Sequence, residues 1–404
     1  MGLHPFSGND DCSDAAPKGA GSEQFFYGAN PSGPKILLVS NTAWNLWNFR
    51  RSLLQMLRQE GAKVLCLAPE DGFEENLRAI EGVRFLPFRH FSRKGLSLRN
   101  NFLTLLELIR LLRQERPDLA VFYTIKPNIF GAIAARCSGT ASIATVEGLG
   151  YAATAPAWLR RFIFLLYRIA FRFVQKVIFL NRDDRAEFLR YRAVVAAKTR
   201  VIHGTGVDTD FFRPEEKTAG RPVFLFVGRL LSDKGIREFI LAAALVKQAE
   251  PDARFQILGS PDAGNPASIP VEELQQLSRN ENVEYLGPTE DVRPFIAGAG
   301  VVVLPSYREG MPRVLLEGLA MGKPVITTDS AGCRETVEDG LNGFIIPSEN
   351  TGALAEAMRR FLRLSPSEQR AMGEYSRKKA LREFGNDVVL PQYLELFRQV
   401  LTAR

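Results

Sequence analysis

KILLVSNTAWNLWNFRRSLLQMLRQEGAKVLCLAP, residues 35 to 69, opens on a short apolar run that ends in a polar turn. It continues in a helical pattern around Phe49 to Arg58 and closes on a second apolar run, KVLCLAP at 63 to 69. This reads as strand, helix, strand. The unit recurs through VRFLPF (83 to 88), a helix from about Leu98 to Arg113, LAVFYT (119 to 124), a helix near 129 to 137, and SIATVEG (142 to 148). Alternation of this kind predicts a doubly wound parallel sheet. The second half repeats it with PVFLFVG (222 to 228), a helix from Gly235 to Gln248, RFQILGS (254 to 260), VEYLG (283 to 287), GVVVLPS (300 to 306), a helix near Val314 to Met321, and KPVITTD (323 to 329). The fold class expected is therefore α/β, with two Rossmann-like domains facing each other across a cleft. Ligands of such sheets sit beyond the carboxyl ends of the strands, which places the active site in that cleft.

The expected organisation is a disordered tail over 1–33, a first domain over 34–210, a second over 211–385, and a C-terminal helix over 386–404. The turn-rich stretch HGTGVDTDFFRPEE, 203 to 216, reads as the hinge. The last helical pattern, from about Asp387 to Leu401, is expected to cross back onto the first domain.

A chain of 404 residues suits two cores, and with 46% hydrophobic and 24% charged residues it has the material to pack them. Cys12, Cys66, Cys137 and Cys333 show no CxxC spacing, which argues against a zinc site or a disulfide framework and for a reducing compartment. The first residues lack the basic start and apolar stretch of a secretory signal. Charge is uneven: residues 34 to 215 hold 28 Lys and Arg against 16 Asp and Glu, and residues 216 to 404 hold 23 against 25. A basic first half implies a polyanionic partner, namely nucleic acid, an anionic membrane surface or a phosphorylated acceptor.

Chemistry concentrates in SYREGMPRVLLEGLAMGKPVITTDSAGCRETVEDGLNGFII, 306 to 346. Glu309 and Glu317 lie eight apart, one in a loop after an apolar strand and one about a turn into the next helix. Gly310 leaves the backbone open, so amides at the helix start can face a phosphate, and Glu317 can accept from ribose hydroxyls. Taken alone, the two glutamates read equally as caps and dipole partners. In VGRLLSDKG, 227 to 235, Arg229 and Lys234 follow a strand end, where they can neutralise a leaving diphosphate. A solvated basic turn is the plainer reading.

Together these segments resemble glycosyltransferase family 4, the retaining GT-B enzymes. The likeness rests on the spacing of Glu309 and Glu317, on Gly228, Arg229, Lys234 and Gly235, on GTGVD at 204 to 208, and on LPSYREGMP. It implies that Arg229 and Lys234 bind the donor diphosphate, that Glu309 lies at the sugar hydroxyls and that Glu317 holds the ribose. The base is expected near Tyr285, Leu286, Gly287 and Pro288, with Gly228, Gly310, Met311, Pro312 and Val314 completing the donor site. A narrower likeness, carried by NFRRSL (48 to 53), VEGLG (146 to 150), and LYRIAFRF with VIFLN (166 to 181), is to bacterial transferases that add GalNAc or a related sugar to an undecaprenyl-diphosphate-linked acceptor. Where many family members carry a histidine after the fifth strand, this chain has Glu147. The resemblance assigns it the positioning role at the reacting sugar, with Gly148 letting the backbone come close; a buried glutamate satisfied by amides is the alternative.

His4, His90 and His203 form no triad, and no strand-end DxD is present. Asp183 and Asp184 read as the cap of a helix beginning near Arg185. Metal independence is expected, with cations and helix amides in place of a metal. Trp44, Trp47, Asn48 and Arg50 are expected on the acceptor side. A basic cluster in the loop after the third strand, Arg84, Arg89, His90, Arg93, Lys94 and Arg99, reads either as a site for a lipid diphosphate or as a plain arginine-rich surface loop. The segment from Trp158 to Leu180 is too charged to cross a bilayer, but Arg161, Arg168 and Arg172 fall on one stripe, as in a helix resting on anionic lipid. A mostly buried helix with one solvated basic edge is the alternative.

The function expected is retaining transfer of a sugar, GalNAc or another N-acetylhexosamine, from a UDP-sugar to a polyprenyl-diphosphate-linked saccharide, at the cytoplasmic face of the inner membrane. An epimerase or phosphorylase of the same architecture would not need the basic, aromatic first half. A nucleic-acid-binding protein is the rival from another class, and no nucleic-acid motif supports it.

Overall fold

The computed structural model describes residues 33–91, 97–150, 155–215, 222–262, 265, 267–277 and 282–403. In the first domain seven parallel strands form one sheet: β1 (Lys35–Val39), β2 (Lys63–Ala68), β3 (Val83–Pro87), β4 (Leu119–Tyr123), β5 (Ala141–Val146), β6 (Lys176–Phe179) and β7 (Thr199–Val201), ordered 3-2-1-4-5-6-7. In the second, β8 (Val223–Val227), β9 (Arg254–Leu258), β10 (Glu284–Gly287), β11 (Val301–Leu304), β12 (Val325–Thr328) and β13 (Gly343–Ile346) are ordered 10-9-8-11-12-13. Both sheets are wound outward in two directions from a central strand, β1 and β8. Alternate residues of β1 feed different cores, Ile36 and Leu38 on one face and Leu37 and Val39 on the other, because successive side chains of a strand point to opposite sides.

The helices that matter for the site are α1 (Ala43–Gln59), α2 (Leu98–Glu115), α3 (Ile125–Ser138), α4 (Ala157–Ala170), α5 (Arg182–Arg190), α6 (Ile236–Lys247), α7 (Arg313–Ala320) and α8 (Asn386–Thr402). Helix α1 starts six residues before the expected Phe49, because the Thr42 side chain caps it by accepting from the Asn45 amide. Trp44, Trp47 and Asn48 consequently join Arg50 in its first two turns. Asn181, not Asp183 or Asp184, caps α5, and the helix begins at Arg182. The expected interfacial segment is likewise shorter than its apolar run: α4 is 14 residues long, and Lys176 already belongs to β6.

Helix α8 does cross back. Val389, Tyr393, Phe397 and Val400 join Leu38, Leu54 and Val121 in a core of the first domain, and the Tyr393 hydroxyl donates to the Gly204 carbonyl. Two chain crossings therefore link the domains. They lie side by side, since Val207 pairs with Gly385 and the Asn386 amide donates to the Val207 carbonyl. Among the described residues no helix is long and apolar enough to cross a membrane.

Candidate active site

On the second domain, two loops at the carboxyl ends of β8 and β11 lie against each other. The Tyr307 amide donates to the Asp233 carbonyl, which lies 3.1 Å from the Ser306 hydroxyl. Gly235 closes the first loop with a φ of +72°, and a side chain there would run into the Pro305 carbonyl, so only glycine fits. This packing delivers Lys234 onto the Glu309 carboxylate, which also accepts from Ser306 Oγ at 2.8 Å. Arg229, from the same loop, reaches the other way and pairs with Asp262 at 2.6 Å while remaining half exposed. Glu317 is buried one turn into α7 and is held by Arg313 at 2.8 Å. Burial raises the Glu317 carboxyl above its usual range, and Arg313 pulls it partly back.

The remaining residues expected at the donor divide. Tyr285, Leu286 and Gly287 lie half-buried on β10, with the Tyr285 hydroxyl donating to the Gly259 carbonyl. Pro312 caps α7, and Val314 follows in its first turn. Met311 differs from expectation: it packs against the cores of both domains, and its side chain lies beside Gly204 at the hinge, so it plugs the seam.

The first domain presents the loop after β5. Gly148, with a φ of +131°, lies against Gly310, and a side chain on Gly310 would strike the Glu147 carbonyl. Two glycines thus let the backbones of the two domains touch next to Glu309. Glu147 is paired with Arg50 and accepts from Asn45 at 3.4 Å. Arg50, expected to face the acceptor, is instead 1% exposed, with its guanidinium 4.3 Å from the centre of the Tyr123 ring. Burial works against its charge, but Glu147, Tyr123 and Tyr393 prevail and hold it more firmly protonated than a free arginine. Arg50 therefore holds Glu147 from a position closed to solvent.

Trp47 is half-buried beneath Arg51, and Asn48 donates to the Trp44 carbonyl. In the expected basic cluster, Arg84 lies on β3 rather than in the loop, paired with Glu115, and Glu107 takes the amides of Arg89 and His90. Arg93 and Lys94 lie outside the described residues. Arg161, Arg168 and Arg172 are all exposed. So are Trp158 (71%), Phe162 (51%), Leu165 and Ile169 beside them, while Phe164 and Tyr167 face inward. The outer edge of α4 is therefore apolar as well as basic.

Sequence reading missed the groups that join the domains. Arg308 of the second domain pairs with buried Asp184 and with Glu187 on α5, and Asn181 donates to the Gly310 carbonyl at 2.7 Å. His203 pairs with Glu335 at 2.5 Å, and the Arg182 amide donates to the same carboxylate. Arg308 stands beside Glu309 in a motif already singled out, but its partners lie more than a hundred residues away and no local pattern marks them.

Residues 48–211 match the family model described as Glycosyltransferase Family 4, and residues 207–379 match Glycosyl transferases group 1. The chain is 27% identical, over 91% of its length and 99% of the relative's, to N,N'-diacetylbacillosaminyl-diphospho-undecaprenol alpha-1,3-N-acetylgalactosaminyltransferase of Campylobacter jejuni. It is 28% identical to UDP-Gal:alpha-D-GlcNAc-diphosphoundecaprenol alpha-1,3-galactosyltransferase of Escherichia coli, over 66% of this chain and 72% of that one. Among solved structures it superposes on Anabaena HepE in complex with UDP with a TM-score of 0.73 at 20% identity, over 90% of this chain and all of that one.

Proposed function

Because this chain belongs to the GT-B glycosyltransferases that join a family 4 N-terminal half to a group 1 C-terminal half, we propose that it transfers a sugar from a UDP-sugar to a polyprenyl-diphosphate-linked saccharide. The sugar proposed is GalNAc or another N-acetylhexosamine, transferred with retention and without a metal, and the chain works peripherally at the cytoplasmic face of the inner membrane. The observation that carries this reading is the meeting of Gly148 and Gly310, which brings the Glu147 loop of one domain against the Glu309–Lys234 pair of the other.

The order of the second sheet suits an extended donor. Moving along the strand ends, β10 offers the half-buried Tyr285 to Gly287 for a base, β8 offers Arg229 and Lys234 for two phosphates, and β11 offers Glu309 for a sugar. Those three inter-strand steps span roughly 14 Å, the scale of a nucleotide sugar. In the transfer, the bond from the anomeric carbon to the diphosphate breaks as the acceptor oxygen bonds to that carbon on the same face. The acceptor proton passes to a donor phosphate oxygen, so no strong protein base is required. The protein supplies alignment and charge: Arg229 and Lys234 stabilise the departing diphosphate, and Glu309 and Glu147 sit where the sugar and acceptor must meet.

The acceptor class is supported by the activities for which the Campylobacter and Escherichia relatives are named and by α4, whose exposed Trp158, Phe162, Leu165 and Ile169 stand among Arg161, Arg168 and Arg172. Such a face can rest in a lipid interface with anionic headgroups at its arginines. The test is UDP release from a panel of UDP-sugars in EDTA, with and without undecaprenyl-diphosphate-linked mono- and disaccharides. Release from one donor only when lipid acceptor is present is the expected result, and release that requires a divalent cation or ignores the lipid acceptor contradicts it.

A further inference from the structure

The donor loop is not held by its own domain alone. Arg308 immediately precedes Glu309, and its guanidinium pairs with Asp184 and, at 3.0 Å, with Glu187, both on α5 of the first domain. Asn181, which caps that helix, sends its side-chain amide to the Gly310 carbonyl at 2.7 Å and toward the Glu309 carbonyl at 3.4 Å. Three consecutive residues, Arg308 to Gly310, are thus gripped by the cap and first two turns of α5 across the domain boundary. Within the second domain the same loop is tied by the Glu309 amide donating to the Ala331 carbonyl, and by Lys234 and Ser306 on the Glu309 carboxylate.

We propose that Asp184, Glu187 and Asn181 are positioning residues for the transfer, acting through Arg308 to set the Glu309–Gly310 peptide at its place against Glu147 and Gly148. This rests on the glycosyl-transfer reading. The contacts form only when the domains are together, so closing the cleft and seating the donor loop become one event. Asp184 is fully buried, and its carboxylate is compensated by Arg308 and Asn181. Separation would break those contacts together and return both charges to water, so the open arrangement loses the hold on the donor loop. A cavity of about 460 Å³ borders the grip, lined by Glu187, Arg190, Tyr307, Arg308 and Arg334. The donor-contacting groups Arg229 and Lys234 are untouched by α5, so the grip is expected to govern turnover more than donor capture.

The experiment compares R308Q, R308K and the double variant D184N/R308Q by steady-state kinetics and by the radius of gyration from X-ray scattering without ligand. R308Q is expected to lower kcat about 30-fold, on the scale of an ångström-sized misplacement of reacting groups, with donor KM within about threefold. R308K should recover part of the loss. The double variant removes both charges, so it keeps a foldable neutral pair should R308Q prove unstable, and it should be no slower than R308Q. All variants lacking Arg308 should scatter as a more open particle. Wild-type kcat in R308Q or in the double variant overturns the proposal. If the wild type itself turns over no lipid-linked acceptor, the transfer reading fails first, and the grip is then judged by scattering alone, where an unchanged radius of gyration overturns it.

Discussion

Glu147 and Glu309 come from the two loops that meet at the cleft, and each is held by a cation of its own domain. The cations differ. Arg50 is sealed at 1% exposure between Glu147 and the Tyr123 ring, whereas Lys234 is 19% exposed. An arginine fork buried on a carboxylate is a fixed support, because withdrawing it strands a charge. A lysine at a strand end is a compact charge on a flexible stem, able to swing from a carboxylate to a phosphate as a ligand enters. The first domain thus carries a carboxylate fixed for good, and the second carries one whose partner can be shared with the donor.

Removing Lys234 tests the mobile side and has the largest expected effect on rate. Lys234→Ala should cut kcat by roughly 10²- to 10³-fold, the range seen when a preorganised charge at a developing anion is lost. Its melting temperature should stay within a few degrees of wild type by calorimetry. Near-normal turnover would remove Lys234 from the site.

The fixed side should respond in the opposite currency. Arg50→Met leaves Glu147 and its surroundings with an uncompensated charge, and stability should fall by about 3 kcal/mol, readable as a lower urea midpoint. Arg50→Met/Glu147→Gln should regain most of that stability but not the activity. If Arg50→Met is as stable as wild type, the contrast drawn between the two pairs collapses.

A third carboxylate sharpens the comparison through pH. Burial raises the Glu317 carboxyl above its usual range, and its proposed work on the ribose needs the ionised form. Donor KM should therefore rise as pH falls through that raised value, beginning at a higher pH than an ordinary glutamate would give. Glu317→Gln should start with weaker donor binding and show a flat profile over the same interval. A wild-type KM without acid dependence would take Glu317 out of donor binding.

The smallest effect belongs to the surface. Arg168→Glu with Arg172→Glu should release the protein from vesicles containing phosphatidylglycerol and lower the rate on a long-chain lipid acceptor several-fold, leaving the rate on a water-soluble short-chain acceptor unchanged. Undiminished vesicle binding would refute an interfacial role for α4.

The architecture was legible because its signals are local. Apolar runs such as KILLV and VFLFV need only a glance at their neighbours to be read as buried parallel strands, and both sheets follow from their alternation with helices. Two edge strands escaped, Thr199–Val201 because TRV offers no apolar run, and Gly343–Ile346 because its GFII was read within the longer motif from 306 to 346. At the site, Glu309 and Lys234 stood out by position after strands, and Glu147 only through the family resemblance. Arg50 was singled out for the acceptor side, but its burial on Glu147 was not legible, since only the fold closes Tyr123 and Tyr393 around it. The grip of α5 on Arg308 was invisible for the same reason, being made of residues whose meaning appears only when two domains come together.

The return of α8 to the first domain has a consequence for how the protein is made. A chain leaving the ribosome releases all seven strands of the first sheet long before residues 386 to 402, yet Val389, Tyr393 and Phe397 belong to the core beneath that sheet. The first domain must wait with an uncovered apolar face while the whole second domain is synthesised and folds. A stop codon or proteolytic cut that trims the last helix would therefore damage the domain farthest from it in sequence, and a bulky fusion at the C-terminus would burden the acceptor side of the molecule and not the donor side.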